Sequence, residues 1–318
     1  IPIELKNNRF NRLFEPITRL YSLPNAHEFD STPLFAPFFM LFFGICFGDG
    51  GYGLLLLLLG TLMKRKAKAD MKPILSLLQC FGIATLVVGT LSGCFFGVNI
   101  AEIPALASVK RYFLTSDNIM TLSLVIGFIH VLYGKFVAAM KVKVQRGLKY
   151  SLAGFAWVFL ILALALAVGL PMMNIHLPQP VVYALYGVAG LGALIAFFYN
   201  SPGKNVFLNF GSGIWATYNT ASGLLGDTLS YIRLYAIGLT GSLLGGVFNT
   251  MAIDMTAGLP LWVRWLPMLL ILLVGHALNI GLSMVSSLVH PMRLIYVEYY
   301  KNSEFEGGGT AYAPFRKI

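Results

Sequence analysis

Phe47-Gly-Asp-Gly-Gly-Tyr-Gly53 interrupts an apolar run of 30 residues, Leu34 to Met63, and the reading of that interruption decides how the chain is threaded. Taken as one helix the run would be about 45 Å long, against a bilayer hydrocarbon core of about 30 Å. It ends in Lys64-Arg-Lys-Ala-Lys-Ala-Asp-Met-Lys72, the most basic loop of the sequence. A single crossing would put those five cations on the side opposite residues 1–32. Short basic loops favour the cytoplasmic side. Two short helices, Leu34–Phe47 and Gly51–Met63, turning at the glycines, are therefore expected. Four glycines in six residues suit such a turn, because glycine takes positive φ and lets backbones approach closely.

The rest of the chain continues the alternation. Apolar runs Ile74–Val98, Ile119–Met140, Tyr150–Leu170 and Val181–Tyr199 are separated by short loops. The basic loops are Lys64–Lys72 and Lys141–Lys149, and a further inner loop carries Lys204; the intervening loops, one with Glu102, Lys110 and Arg111 and one with His176, are balanced or uncharged. Two long elements follow, Gly213–Ile253 and Leu261–Lys301, each about 60 Å if wholly helical. Both must tilt, kink or protrude, with Pro267 and Pro291 as kink candidates. The fold class is thus an all-α polytopic membrane protein of about eight transmembrane helices, the last two long and strongly tilted. Residues 1–32 form an interfacial approach segment, 33–301 the membrane domain and 302–318 a tail on the same side. Residues 1–32 read as the end of something larger, so an amino-terminal cytoplasmic region is expected to precede them.

Composition agrees. The chain is 57% hydrophobic and 11% charged, with a mean hydropathy of +0.74, where soluble domains carry about 25% charged residues. The net charge of +10 resides in loops between spans, so it calls for no nucleic acid. Cys46, Cys80 and Cys94 lie in apolar stretches without ligand spacing and read as small core residues. No phosphate-binding glycine loop is present, and no cofactor or metal is expected.

Polar residues form two seams. His276, Asn279, Ser283, Ser286, His290 and Arg293 follow at spacings of 3, 4, 3, 4 and 3, one face of a helix. Asn219, Ser222, Gly226, Ser230, Arg233 and Thr240 make a similar stripe on the preceding element. Ser and Asn often simply join transmembrane helices. An arginine on each seam is harder to dismiss, because a guanidinium keeps its charge and ionisable groups in membranes mark ion pathways. Asp227 lies six residues from Arg233 and Glu298 five past Arg293, both off their stripes, so the matching anion is expected on another chain.

At these residues the sequence resembles the membrane domain of the a/I subunit of V-type (vacuolar and archaeal-type) rotary ATPases. The resemblance rests on Phe47-Gly-Asp-Gly-Gly-Tyr-Gly53, Ser230-Tyr-Ile-Arg-Leu-Tyr-Ala236, His290-Pro-Met-Arg-Leu-Ile-Tyr-Val-Glu298 and the tail Gly307-Gly-Gly-Thr-Ala-Tyr-Ala-Pro-Phe315. It implies a stator subunit facing a rotating proteolipid ring whose members carry mid-membrane carboxylates, in a complex with peripheral-stalk and central-stalk subunits. Arg233 and Arg293 would act on those carboxylates, between two half-channels carrying H+ or Na+. For the inner half-channel the candidates are Asn219, Ser222, Asp227, Ser230 and Glu298. For the outer they are Asp49, His276, Asn279 and Ser283, with His130, Ser286 and His290 open. Gly241 and Ser283 stand where eukaryotic relatives carry a His and a Glu. The implied location is a bacterial cell membrane, both termini cytoplasmic, with nucleotide chemistry housed in other subunits. Two other readings stand beside it: a secondary transporter holding an anion between the two arginines, and a membrane anchor with no ion path.

Overall fold

A computed structural model describes residues 2–100, 114, 116–172, 175, 177–199 and 206–312. The loop charges Glu102, Lys110, Arg111 and Lys204, together with His176 and the final Ala313-Pro-Phe315, lie outside the described residues. A short helix, α1 (Glu15–Tyr21), precedes the first apolar pair, α2 (Thr32–Phe47) and α3 (Gly50–Lys66). Then come α4 (Lys72–Ser92), α5 (Ser116–Arg146) and α6 (Leu148–Leu164), which continues through a π-turn (Ala165–Gly169) into α7 (Leu170–Met172). The chain closes with α8 (Gln179–Phe198), α9 (Val206–Leu229), α10 (Ile232–Thr256), α11 (Leu261–Arg293), a π-turn (Leu294–Tyr299) and α12 (Tyr300–Asn302). Among the described residues six helical stretches are long and apolar enough to cross a membrane, and α2 is a shorter apolar helix.

The glycine-rich turn is where the sequence places it. Gly48 ends α2 at φ 64, the left-handed cap that glycine adopts without strain. Asp49 then caps α3 by accepting from Gly51 N and Tyr52 N. The two arms do not pack along each other; α4 lies against both. It is antiparallel to α3, with Gly53 against the Thr85–Leu86 backbone and Gly82 against Leu57 N, where an added Cβ would stand 2.8 Å away. With α2 it runs parallel, Phe43 stacking on Phe81 at 4.2 Å. Glycine here permits backbone contact that any side chain would prevent.

Two expected boundaries move. The run Ile74–Val98 stops at Gly93, and Cys94–Phe95 pairs with Val98–Asn99 as a two-stranded hairpin. Phe96 and Gly97, both at positive φ, form its turn. The element Gly213–Ile253 is interrupted at Ser230–Tyr231, where Arg233 N and Leu234 N bond to carbonyls three residues back. That break, not a proline, separates α9 from α10. Pro291 does precede an irregularity, the π-turn at Leu294–Tyr299.

The alternation gives the bundle two sides. Residues 2–31 and 302–312 meet on one, called near, through the bridges Ile3–Ala311 and Leu23–Gly309. The Cys94–Asn99 hairpin lies on the other, called far. Glu28 is the centre of the near-side clasp. Its carboxylate accepts from Asn25 N at 3.0 Å, Glu306 N at 2.8 Å, Gly307 N at 3.0 Å and Lys141 Nζ at 2.8 Å. Burial opposes its charge, but these donors outweigh burial and hold the carboxyl below its usual value. A depressed pKa contributes stability that is complete above the unfolded value of about 4.3 and is lost as pH falls through the folded value. Hydrogen exchange should therefore show the Glu306 and Gly307 amides protected at neutral pH and losing protection in acid below about pH 4. Glu28→Gln should show reduced protection already at pH 7 and little further change on acidification.

Candidate functional site

Three polar groups lie along the last four helices, α9 to α12. On the far side Asp49 is wholly buried. Its Oδ1 accepts from Gly51 N at 2.8 Å, Tyr52 N at 3.2 Å and Phe96 N at 2.9 Å, and its Oδ2 from Gly97 N at 2.7 Å. The Cys94 thiol adds a 3.5 Å contact. Every bond of this carboxylate is thus spent on holding two turns together.

Tyr52, which it positions, leads into the seam between α10 and α11. Asn249 Nδ2 donates to Phe96 O at 2.7 Å, which leaves its Oδ1 to accept from His276 Nε2 at 3.0 Å. His276 is then protonated on Nε2, and its Nδ1 accepts from the Tyr52 hydroxyl at 2.6 Å. The same hydroxyl accepts from Asn279 Nδ2 at 3.0 Å, and Asn279 also donates to Gly241 O at 2.9 Å. Ser283 Oγ donates to Asn279 Oδ1 at 3.3 Å. His276, Asn279 and Ser283, expected together from their spacing, are therefore one chain. Tyr52 and Asn249, which join it, carried no such signal, because Tyr52 belongs to a distant helix and Asn249 stands beyond the Thr240 end of its stripe. Gly241 and Gly245 let α10 approach, their Cα positions opposite Ser283 and Asn279.

The second group surrounds Arg233, in the first turn of α10. Its Nη1 is buried without a hydrogen-bond partner, as are His290 Nδ1 and Glu298 Oε2 and, elsewhere on α11, Ser287 Oγ. His290 lies within electrostatic reach of both Arg233 and Arg293. Arg293 is exposed and Ser286 half-buried. Neither guanidinium forms an ion pair among the described residues. Glu298 looked misplaced for an α-helix, five residues past Arg293. The π-turn between them closes i to i+5 bonds, so that spacing returns to nearly the same face. Glu298 accordingly lies within reach of Arg293 and beside the Ser230 side chain.

The third group is a near-side lock. Asp227 receives Lys301 Nζ at 3.0 Å and Asn302 Nδ2 at 2.7 Å, tying the end of α9 to α12. Of its inner companions, Asn219 and Ser222 are exposed on α9 and touch none of the groups above. His130 is wholly buried, bonded through Nδ1 to the Tyr231 hydroxyl at 2.7 Å and stacked on Tyr299 at 4.8 Å. It packs α5 against the break that presents Arg233.

No family model matches the sequence. Curated relatives match it over its whole length. Subunit I of the V-type ATP synthase of Borreliella burgdorferi is 30% identical over 338 residues, which cover 100% of this chain and 54% of the relative. Subunit I of the A-type ATP synthase of Methanocaldococcus jannaschii is 29% identical over 347 residues, covering 99% and 49%. Along its whole length the chain is thus similar to subunit I of V-type and A-type ATP synthases. A third relative, subunit I of the A-type ATP synthase of Pyrococcus abyssi, is 29% identical over 327 residues, covering 99% of this chain and 47% of its own. The chain spans about half the length of the relatives it matches.

Tyr52 gives the far-side chain a direct test. Tyr52→Phe removes one hydroxyl and leaves both His276 Nδ1 and Asn279 Nδ2 short of a partner. A buried unsatisfied polar group costs about 1–3 kcal/mol. Thermal unfolding of the purified protein should show a loss of that order, and an unchanged midpoint would mean that the seam repacks without the hydroxyl.

Proposed function

We propose that this chain forms the ion path of a V-type ATPase stator, carrying H+ or Na+ to and from carboxylates on a rotating proteolipid ring. The observation that carries this reading is the pair of unpaired guanidinium groups on α10 and α11. They sit where both helices expose apolar side chains, among them Leu243, Val247, Leu282, Val285 and Val289. A buried guanidinium nitrogen with no acceptor costs too much to be packing. A carboxylate delivered by a partner against that face would satisfy it. At an effective dielectric near 20 the attraction is about 4 kcal/mol at 4 Å, enough to make the carboxylate release its ion as it passes.

The half-channels extend from this point. His276, Asn279 and Ser283 serve the far side with Asp49 beneath them. Ser230 and Glu298 serve the near side, with Asp227 as their brace and Asn219 and Ser222 at the edge. The basic loops at Lys64–Lys72 and Lys141–Lys149 support a cytoplasmic near side, with both termini on it, in the cell membrane of a bacterium. ATP is hydrolysed or made by other subunits, joined through the peripheral and central stalks, and this chain binds no nucleotide.

The test is ATP-driven ion uptake into vesicles bearing the whole complex. Arg233→Ala should leave the complex assembled and lower uptake about 100-fold or more, as the loss of a few kcal/mol of attraction requires. Near-normal uptake would make Arg233 a packing residue. Loss of uptake through disassembly would favour an anchoring role.

A further inference from the structure

Nothing local in the sequence accounts for the break between α9 and α10. Leu229-Ser-Tyr-Ile232 holds neither glycine nor proline, the usual causes of a sharp interruption. The Ser230 hydroxyl bonds Gly226 O at 3.2 Å, which bends a helix but leaves its ladder in place. Yet Tyr231 N, Arg233 N and Leu234 N all bond carbonyls three residues back. Each residue wound that way turns about 20° further than an α step, so the break redirects Arg233 by about 40–60° relative to α9. A contact from elsewhere in the fold must hold it.

Tyr231 makes that contact. Its side chain is wholly buried, with the hydroxyl 2.7 Å from His130 Nδ1 and the ring 5.5 Å from that of Phe42. On α5, Gly127, His130 and Gly134 follow at spacings of 3 and 4, one face of the helix. Gly127 makes room for the Tyr231 ring, which any side chain there would overlap. Gly134 lies against Tyr299 and Asn302, its Cβ position 3.4 Å from the Tyr299 ring. Between the two glycines His130 meets both tyrosines, bonding Tyr231 and stacking on Tyr299 at 4.8 Å. One face of α5 thus receives the break before α10 and the π-turn after α11.

As mere filling His130 is a costly residue. Phe38, Phe42 and Tyr299 enclose it, and its Nε2 is buried without a partner. A buried polar atom left unpaired is destabilising, and a leucine would avoid that cost. The bond to Tyr231 is what the imidazole adds.

We propose that His130 is a positioning residue for Arg233: joined to Tyr231 on α5, it maintains the break and so sets the direction in which α10 presents the guanidinium. Its stack on Tyr299 gives the π-turn that carries Glu298 the same reference point. The imidazole acts through Tyr231 and touches no ion. This inference rests on the ion-path reading above.

The experiment measures ATP-driven ion uptake per assembled complex in vesicles, with the thermal midpoint beside it. Tyr231→Phe removes one hydroxyl and keeps the ring. His130→Leu removes the imidazole, and His130→Asn keeps an amide near the Nδ1 position. Val158→Ala, in a separate buried cluster on α6, is the control for lost packing. Tyr231→Phe and His130→Leu should each lower uptake severalfold. The double variant should be no slower than the slower single one, and His130→Asn should recover most of the loss. Val158→Ala should lower the midpoint and keep its uptake. Near-normal uptake in Tyr231→Phe would overturn the proposal. So would a double variant showing the product of both losses, or a fall in Val158→Ala to match. If His130→Leu does not assemble, Tyr231→Phe and His130→Asn decide between the same outcomes. Arg233→Ala runs in parallel: if it transports normally the ion-path reading itself fails, whereas normal uptake in Tyr231→Phe beside an inactive Arg233→Ala removes the positioning role alone.

Discussion

The far half of the bundle depends on one carboxylate. Asp49 gathers amides from two separate turns, the α2–α3 break and the Cys94–Asn99 hairpin, and is itself fully buried. Between apolar helices an unpaired amide is costly, so turns at this depth need an acceptor supplied by the protein. A carboxylate with two oxygens and about four lone-pair sites can meet that need where no neutral side chain could. Once Phe96 and Gly97 are fixed, the Phe96 carbonyl orients Asn249, and Asn249 orients His276. The seam is set from Asp49 outward through successive bonds.

Around Arg233 the logic is reversed. The far-side groups satisfy each other, while Arg233, Ser287, His290 and Glu298 each keep a buried atom unpaired. Native proteins leave few such atoms, and each asks for a cause. Arg233 and Glu298 lie at two irregular backbones, the break at Ser230–Tyr231 and the π-turn at Leu294–Tyr299, and His290 lies one turn before the second. Both are braced. The Asp227–Lys301–Asn302 lock holds the ends of α9 and α12, and His130 with Tyr231 holds α5 to the break. Irregular backbone, firm bracing and unmet polar atoms together are what the proposed approach of a partner carboxylate requires.

α10 joins the two halves and divides them. Its small residues face outward from the axis in more than one direction: Gly241 and Gly245 admit the seam, and Gly238 takes the α2 backbone at Ile45. A helix so rich in glycine can be approached on several sides, which allows one element to border both the seam and the surroundings of Arg233. Helix packing without side chains in the contact is the means by which membrane helices come close.

The sequence by itself determined the solvent, the direction of each helix, the glycine-rich break and the periodic stripe His276–Arg293. These follow from hydropathy, loop charge and helical spacing, which are local in the chain. Arg233 stood out because a permanent charge among apolar residues has few innocent explanations. Only the tertiary structure decided how the polar residues are shared out. Asp49 and Asp227 were read with the two ends of an ion path, and the fold engages them in bonds to a hairpin and to α12, partners 45 to 75 residues distant. Tyr52 and Asn249 entered the seam for the same reason, by contacts between separate helices. Glu298 came into reach of Arg293 because one turn is π and not α. Periodicity assigns a residue to a face, but the neighbour that meets that face is fixed by how the helices pack.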